Sequence, residues 1–288
     1  MLIAQITDLH LGFDPDNPAE FNRKRLDQVI RALNGMDRKP DMLFATGDLV
    51  DRGDIASYRR LRGALAGAPC PVWLAVGNHD VRANLAAIFP EMPFADGFLQ
   101  YVVESEALRF IVLDTLEEGR HGGAYCANRA AWLRARLDEE RSKPTVIVLH
   151  HPPIETGIPW MTTVPEEPWV ATLEGALAGH DQIVGVICGH IHRSIVTSWA
   201  GRQLAICPST APQVALSLAP LDPETPDGRP MIIADAPAYA LHYWNGTALV
   251  SHFETTDEHV VLARYDASMQ PLVRSLIDEH PRLPPTLG

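Results

Sequence analysis

Cysteine is scarce in this chain: Cys70, Cys126, Cys188 and Cys207 are the only four among 288 residues, and none shows CxxC spacing. That argues against a disulfide framework, and in apolar strand-like segments such as those of Cys188 and Cys207 a free cysteine is a small buried hydrophobe. No apolar run approaches membrane-spanning length. No basic stretch precedes the first apolar segment, so Met1-Leu2-Ile3-Ala4-Gln5-Ile6 reads as a strand and not as a signal peptide. Basic runs are short as well, none longer than Arg23-Lys24-Arg25, and the net charge is −12. The non-specific phosphate grip of a nucleic-acid binder is therefore unsupported, and docking on an anionic membrane is disfavoured. A cytoplasmic protein without a nucleic-acid or membrane partner is expected.

What the chain has is apolar material, 46% of residues, enough for one large core. Apolar runs at Leu2–Thr7, Met42–Thr46, Val72–Val76, Arg109–Leu113, Thr145–Leu149 and Ile183–Cys188 are mostly continuous, as in strands covered on both faces. Helical patterns lie between them. Phe21 to Leu33 places Leu26, Val29, Ile30 and Leu33 on one face; Asn128–Arg141 puts Leu133 and Leu137 together; Val170–Ala178 is a third. Alternating strands and helices predict an α/β sandwich with much parallel pairing, whose ligands collect at the carboxyl ends of strands.

After Cys207 the texture changes to Pro-, Ala-, Ser- and Asp-rich sequence with little helical periodicity. Tyr239–Trp244 and Thr247–Phe253 flank Asn245-Gly246, a strong hairpin signal. Residues 259–265 are one more strand candidate, and the tail from Pro281 is expected to be loose. The expected organisation is a core over 1–207, an appendage over 208–258 that covers the site or mediates self-association, and a final strand and tail over 259–288.

Five stretches stand where apolar runs end: Asp8-Leu9-His10, Gly47-Asp48-Leu49-Val50-Asp51, Gly77-Asn78-His79-Asp80, His150-His151-Pro152 and Gly189-His190-Ile191-His192. Together they offer carboxylate, imidazole and amide donors for two cations sharing a bridge. Asp8 and His10, two apart on an extended chain, would share a face, as would His190 and His192 if their loop stays extended. Gly47 allows close backbone approach, and the Asp48 carboxylate suits a bridge between metals about 3.5–4 Å apart. This donor mixture suits zinc, iron, manganese or cobalt better than calcium.

The ordered set resembles the calcineurin-like metallophosphoesterase superfamily, with pattern D-x-H, G-D-x-x-D, G-N-H-D/E, H and G-H-x-H, over roughly residues 1–210. Gly77-Asn78-His79-Asp80, His150-His151-Pro152-Pro153 and Pro208-Ser209-Thr210-Ala211-Pro212-Gln213 resemble the class III cyclic-nucleotide phosphodiesterases and the related bacterial glycerophosphodiesterases. The resemblance implies a four-layer α/β/β/α sandwich with a C-terminal cap or hairpin appendage, which would form a homo-oligomer contact. It assigns Asp8, His10, Asp48 and His192 to one metal and Asp48, Asn78, His150 and His190 to the other, with His79 as the catalytic histidine. The implied activity is binuclear hydrolysis of a small phosphodiester by a metal-bound hydroxide. Two divalent ions, two carboxylates and that hydroxide leave the site about +1, which attracts a monoanionic diester without trapping it. His79 would donate to the leaving alkoxide or, as a neutral ring, orient the phosphate.

Other readings are blander or different. Only one of His150 and His151 is expected to face the metals, and family pattern favours His150. Asp51, Arg52 and Asp80 are expected to brace loops; Arg82 and Arg193 are expected in salt bridges or solvent before phosphate. His121 is expected to be an ordinary residue before it lines the site with Gly122 and Gly123 as a mobile loop, and Trp160 to be a packing residue before it flanks a substrate from its Pro-rich loop. Gly47 through Gly53 also resembles the protein phosphatases, which keeps a phosphomonoesterase as the alternative enzyme. A metal-free interaction scaffold is the non-enzymatic one, although such relatives usually lose ligands and this chain keeps them all.

Overall fold

A computed structural model describes residues 1–279. Six of its strands are the continuous apolar runs: β1 (Leu2–Ile6), β2 (Met42–Thr46), β3 (Val72–Ala75), then, after β4 (Tyr101–Glu104), β5 (Arg109–Val112), β6 (Thr145–Val148) and β7 (Ile183–Cys188). The helices between them are α1 (Phe21–Gly35), α2 (Ile55–Leu65), α3 (Arg82–Ile88), α4 (Ala127–Glu139) and α5 (Pro168–Leu177). β8 (Ile195–Trp199), β9 (Arg202–Ile206), β10 (Gln213–Val214), β11 (Ile232–Ile233), β12 (Ala238–Trp244) and β13 (Leu249–Thr255) complete the strands.

Two sheets carry the fold, in the orders β13-β12-β1-β2-β3 and β4-β5-β6-β7-β9-β8. Their centres are parallel: β1–β2–β3 in one and β5–β6–β7–β9 in the other. The pleat sorts side chains between two cores. Phe110, Val112, Val146 and Val148 join the core shared with the first sheet, where the rings of Phe44 and Phe110 lie 4.9 Å apart. Their alternates Ile111, Leu113, Ile147 and Leu149 pack instead with Leu133, Leu137, Leu173 and Leu177 of α4 and α5. On the far side of the first sheet, α1 contributes Leu26, Val29, Ile30 and Leu33, all buried as the periodicity requires. Four layers result, α/β/β/α.

The hairpin at Asn245-Gly246 forms, with one difference. The loop is four residues, 245–248, and the second strand starts at Leu249 instead of Thr247. Asn245 Oδ1 accepts from the Thr247 and Ala248 N–H groups and from the Thr247 hydroxyl, so the side chain organises a longer turn than a two-residue loop. β12 pairs antiparallel with β1, which extends the first sheet.

The chain divides into a unit Met1–Thr256 and a second unit from Asp257. Within the second, residues 259–265 form no strand: Val260, Val261 and Leu262 are exposed, and no ladder partner pairs with them. A β-prone triplet without a neighbouring edge has nothing to bond to. The regular element there is helix α6 (Gln270–Glu279). The tail from Pro281 lies outside the described residues.

Candidate metal centre

Loops at the carboxyl ends of the parallel strands meet in one cleft. The loop after β1 is zipped to the loop after β2 by backbone bonds: Asp8 N–H to Gly47 O at 3.0 Å, and the Leu9 and His10 N–H groups to Asp48 O at 2.8 and 3.0 Å. Asn78 and His79 follow β3, His150 and His151 follow β6, and His190 and His192 follow β7. A tie between the sheets runs through Asp8, whose Oδ2 accepts the His190 N–H at 3.0 Å. Small residues permit this convergence. A Cβ at Gly77 would collide with the Asp48 carboxylate and the His150 ring, and Gly47, at φ +99°, would drive one into His150.

Asp8, His10, Asp48, His190 and His192 all take positive φ, between +46° and +74°. Five non-glycine residues in the left-handed region hold strain where function concentrates. It also corrects the two-apart expectation. Asp8 and His10 lie past the strand end, and the loop bearing His190 and His192 is bent, so neither pair is aimed by an extended backbone. His190 instead lies against His150 and His151, with ring centroids 5.1 and 4.7 Å away, while His192 Nε2 is 3.4 Å from Asp8 Oδ1 and 3.2 Å from His10 Nε2.

The hydrogen bonds assign several tautomers, because a carbonyl oxygen only accepts. His150 Nδ1 donates to Thr46 O, His192 Nδ1 to Pro212 O and His79 Nδ1 to Asp51 O, each at 2.8 Å. Each neutral ring then presents the Nε2 lone pair. His150 Nε2 lies 3.4 Å from Asp48 Oδ2 and 3.9 Å from Asp8 Oδ1, and His10 Nε2 lies 3.7 Å from Asp48 Oδ2. Asp8 Oδ1, Asn78 Oδ1 and His150 Nε2 are buried without a hydrogen-bond partner. Such facing acceptors are costly unless a positive charge joins them, either a proton on His150 Nε2 or, better, a metal cation. The ligand atoms fall into overlapping groups: Asp8, His10, His192; Asp8, Asp48, His150; His10, Asp48, His79; and His150, His151, His190. The donor set therefore fits divalent ions.

Electrostatics say the same. Burial opposes charge on both carboxylates, yet the surrounding imidazoles outweigh it: His192 and His150 bring Asp8 down to about 2, and His150 and His10 hold Asp48 well below the usual range. Burial also disfavours a charged His150, but Asp48 and Asp8 raise its pKa to about 9. His190 is pushed down to about 3 by burial and by His150. Two buried carboxylates thus create a negative field that a proton answers and a divalent ion would answer better.

The neighbouring residues brace. Asp80 accepts from the Gly77 and Leu49 N–H groups, at 2.9 and 3.2 Å, and from the Tyr58 hydroxyl at 2.8 Å. Asp51 Oδ1 lies 3.5 Å from His10 Nδ1, and Arg52 pairs with Asp51 at 3.5 Å. Arg82 is committed to Asp114 by two 2.7 Å bonds, and Arg193 donates to Val214 O. His151 bonds Thr115 Oγ1 at 2.8 Å through Nδ1, and its Nε2 is buried without a partner in a ring that lies near those of His150 and His190. His121 lies with Nδ1 3.5 Å from Asn78 Nδ2. A cavity of about 490 Å³ opens onto the centre, and His121, Trp160, Met161, Val214 and Ile232 complete its lining.

Tyr58, Thr115 and the apolar lining residues Met161, Val214 and Ile232 went unnoticed in the sequence. For Tyr58 a signal existed: Asp54 can cap a helix, and Tyr58, Leu61 and Leu65 share its buried face. Thr115, Met161, Val214 and Ile232 carry no local pattern.

Known proteins match this chain along most of its length. The calcineurin-like phosphoesterase family model matches residues 1–194. A probable cyclic nucleotide phosphodiesterase of Synechococcus is 35% identical over 73% of this chain and 81% of its own. A probable glycerophosphodiester phosphodiesterase of Arcobacter nitrofigilis is 28% identical over 85% of this chain and 89% of its own. Among solved structures, a dimetal phosphatase from Danio rerio superposes with a TM-score of 0.63 at 15% identity, covering 90% of this chain and 97% of that one. By sequence match, sheet order and the loops that carry its polar residues, this chain belongs to the calcineurin-like phosphoesterase family.

Proposed function

We propose that the chain is a metal-dependent phosphodiesterase, hydrolysing small phosphodiesters at a pair of divalent cations. The observation that carries this reading is the set of buried acceptors without partners, Asp8 Oδ1, Asn78 Oδ1 and His150 Nε2, around a carboxylate, Asp48, that is near ligands from both sides. Asp8, His10, Asp48 and His192 would hold one ion, and Asp48, Asn78, His150 and His190 the other. Nitrogen and oxygen donors of this kind suit iron, manganese, zinc or cobalt. Such ions supply Lewis-acid polarisation of a phosphoryl oxygen and an acidified water as nucleophile.

The protein's own groups divide the remaining work. Thr46 O and Pro212 O fix the rings of His150 and His192 so that Nε2 faces the carboxylates. His79 is the catalytic histidine of this reading. Its Nδ1–H is spent on Asp51 O, so a neutral ring offers only an acceptor at Nε2. Donation to a leaving alkoxide, or to phosphate, therefore requires the imidazolium, and a neutral phosphate-orienting donor is inconsistent with this bond. Asn78 presents its amide beside His79 and reaches toward His121.

The matched relatives carry the names of cyclic nucleotide and glycerophosphodiester phosphodiesterases, which supports a small phosphodiester as substrate class. Residues 208–258 are proposed as a cap and self-association segment, supported by Val214 and Ile232 in the cavity lining and by exposed Leu216, Leu218 and Met231. No described helix is long and apolar enough to cross a membrane. Four free cysteines fit a reducing, cytoplasmic setting. The test is turnover of bis(p-nitrophenyl) phosphate against p-nitrophenyl phosphate by manganese-loaded protein. Faster diester cleavage is expected; a loaded protein inert toward every ester offered overturns the reading.

A further inference from the structure

The cavity above the centre is larger than a phosphate needs, and its chemistry is uneven. His10, Asp48, Asn78, His79, His190 and His192 make one part polar. Trp160 and Met161 of the loop after β6 and Val214 and Ile232 of β10 and β11 add apolar surface, beside the hydroxyl-bearing Thr162 and Thr163. These two rim segments approach one another, since a Cβ at Gly157 would touch Leu218 Cδ2 at 3.4 Å. A site of about 490 Å³ that joins a polar centre to aromatic and aliphatic surface suits an amphipathic ligand.

Trp160 is held in place before any ligand arrives. Met161 N–H donates to Ile158 O at 3.0 Å, and the Thr156 hydroxyl donates to Met161 O at 2.6 Å. Thr156 N–H bonds Thr162 Oγ1 at 2.9 Å, and the Thr163 hydroxyl bonds Pro152 O at 2.8 Å. Ile158, buried at the base of this turn, anchors it in the second core, and Trp160 packs against the same core. The indole is thus a half-buried, preorganised flat surface at the edge of a phosphoester site. An aromatic ring of this kind holds planar groups by stacking, whatever their edge pattern.

We infer that Trp160, with Met161, Val214 and Ile232, forms a subsite for a planar aromatic substituent of the phosphodiester, so that Trp160 sets a preference for nucleoside over glycerol esters. The inference rests on the phosphodiesterase reading and names the substituent it favours. A glycerol-linked head group has no flat face to offer, whereas a purine does.

The experiment compares manganese-loaded wild type with Trp160→Ala, Trp160→Leu and Trp160→Phe on cyclic AMP and on glycerophosphoglycerol. The ratio of kcat/KM between the two substrates is expected to fall about tenfold or more in the Ala and Leu variants, chiefly through KM, and to be largely kept by Phe, which retains a ring. A ratio unchanged within about twofold in both Ala and Leu overturns the subsite. Binding of 5′-AMP and of glycerol 3-phosphate, by calorimetry on the same proteins, supplies a readout apart from turnover. If wild type cleaves no diester, the phosphodiesterase reading falls while the subsite is still decided by binding: preference for AMP lost in Trp160→Leu supports it, and equal affinities of wild type for both ligands refute it.

Discussion

The Asp48 carboxylate accepts the His79 N–H through Oδ1 at 2.8 Å and turns Oδ2 toward both His150 and His10. It stands between His10 on one side and His150 on the other, where a shared ligand would lie. Asp48→Ala should therefore cost more activity than any other ligand change, more than about 10³-fold in kcat/KM, with metal content lost at both positions. Near-wild-type turnover by this variant would refute its bridging role. Protons compete with ions for the same nitrogens. Because Asp48 and Asp8 keep His150 protonated up to about pH 9 in the ion-free site, binding a cation must expel that proton. Affinity for Mn²⁺, followed by calorimetry, should rise about tenfold per pH unit between roughly pH 6.5 and 8 and level off above about 9; a pH-independent affinity contradicts the assignment. The ligand identities were legible because each sits where an apolar run stops. Their aim was not. Left-handed backbone at Asp8, His10, Asp48, His190 and His192 is imposed by the surrounding loops, and no spacing rule announces it for aspartate or histidine.

At the level of elements, the loops are held by residues whose role appears only when strands are paired. Tyr58 of α2 donates to Asp80 and accepts the Val81 N–H at 2.9 Å, joining a helix to the loop that carries Asn78 and His79. Tyr58→Phe leaves buried Asp80 short of a donor and should lower stability by about 1–3 kcal/mol in urea unfolding. It should also weaken metal binding about tenfold, the scale expected when a ligand's support is removed. Unchanged unfolding midpoint and metal affinity would dismiss the brace. A second device runs through strands β13, β12 and β1. Ser251 Oγ bonds His242 Nδ1 at 2.8 Å, His242 Nε2 bonds Gln5 Oε1 at 2.9 Å, and Gln5 Nε2 donates to Thr46 Oγ1 and to Cys188 O. Burial, then His252, depress the His242 pKa from 6.5 to about 4. Above pH 6.5 the ring is neutral in both states and costs nothing. As pH falls toward 4 the unfolded chain takes up a proton that the fold refuses, so stability drops, by on the order of 3 kcal/mol. Metal-free His242→Gln should lose less stability than metal-free wild type between about pH 7 and 4.5; parallel losses would contradict it. The hairpin itself was legible from Asn245-Gly246, whereas its antiparallel pairing with β1 depends on a distant partner that local sequence does not name.

Across the whole molecule, two stacked sheets bring loops from distant parts of the chain, residues 8 to 192, to one edge, and the parallel strand ends fix where they meet. Those strands read clearly because a doubly covered strand must be apolar throughout. α2 and α3 were harder, since α2 carries Arg59, Arg60 and Arg62 among its buried positions and α3, only seven residues long, buries Leu85 alone. A centre assembled this way ties folding to ion binding: at 100 times the dissociation constant, bound cation should add about 2.7 kcal/mol to stability, seen as a higher Tm that chelation reverses. The most direct check is anomalous scattering from crystals of manganese-loaded protein. Two peaks about 3.5–4 Å apart are expected, with Asp48 shared between them. One peak, none, or a pair that leaves Asp48 uncoordinated would contradict the account.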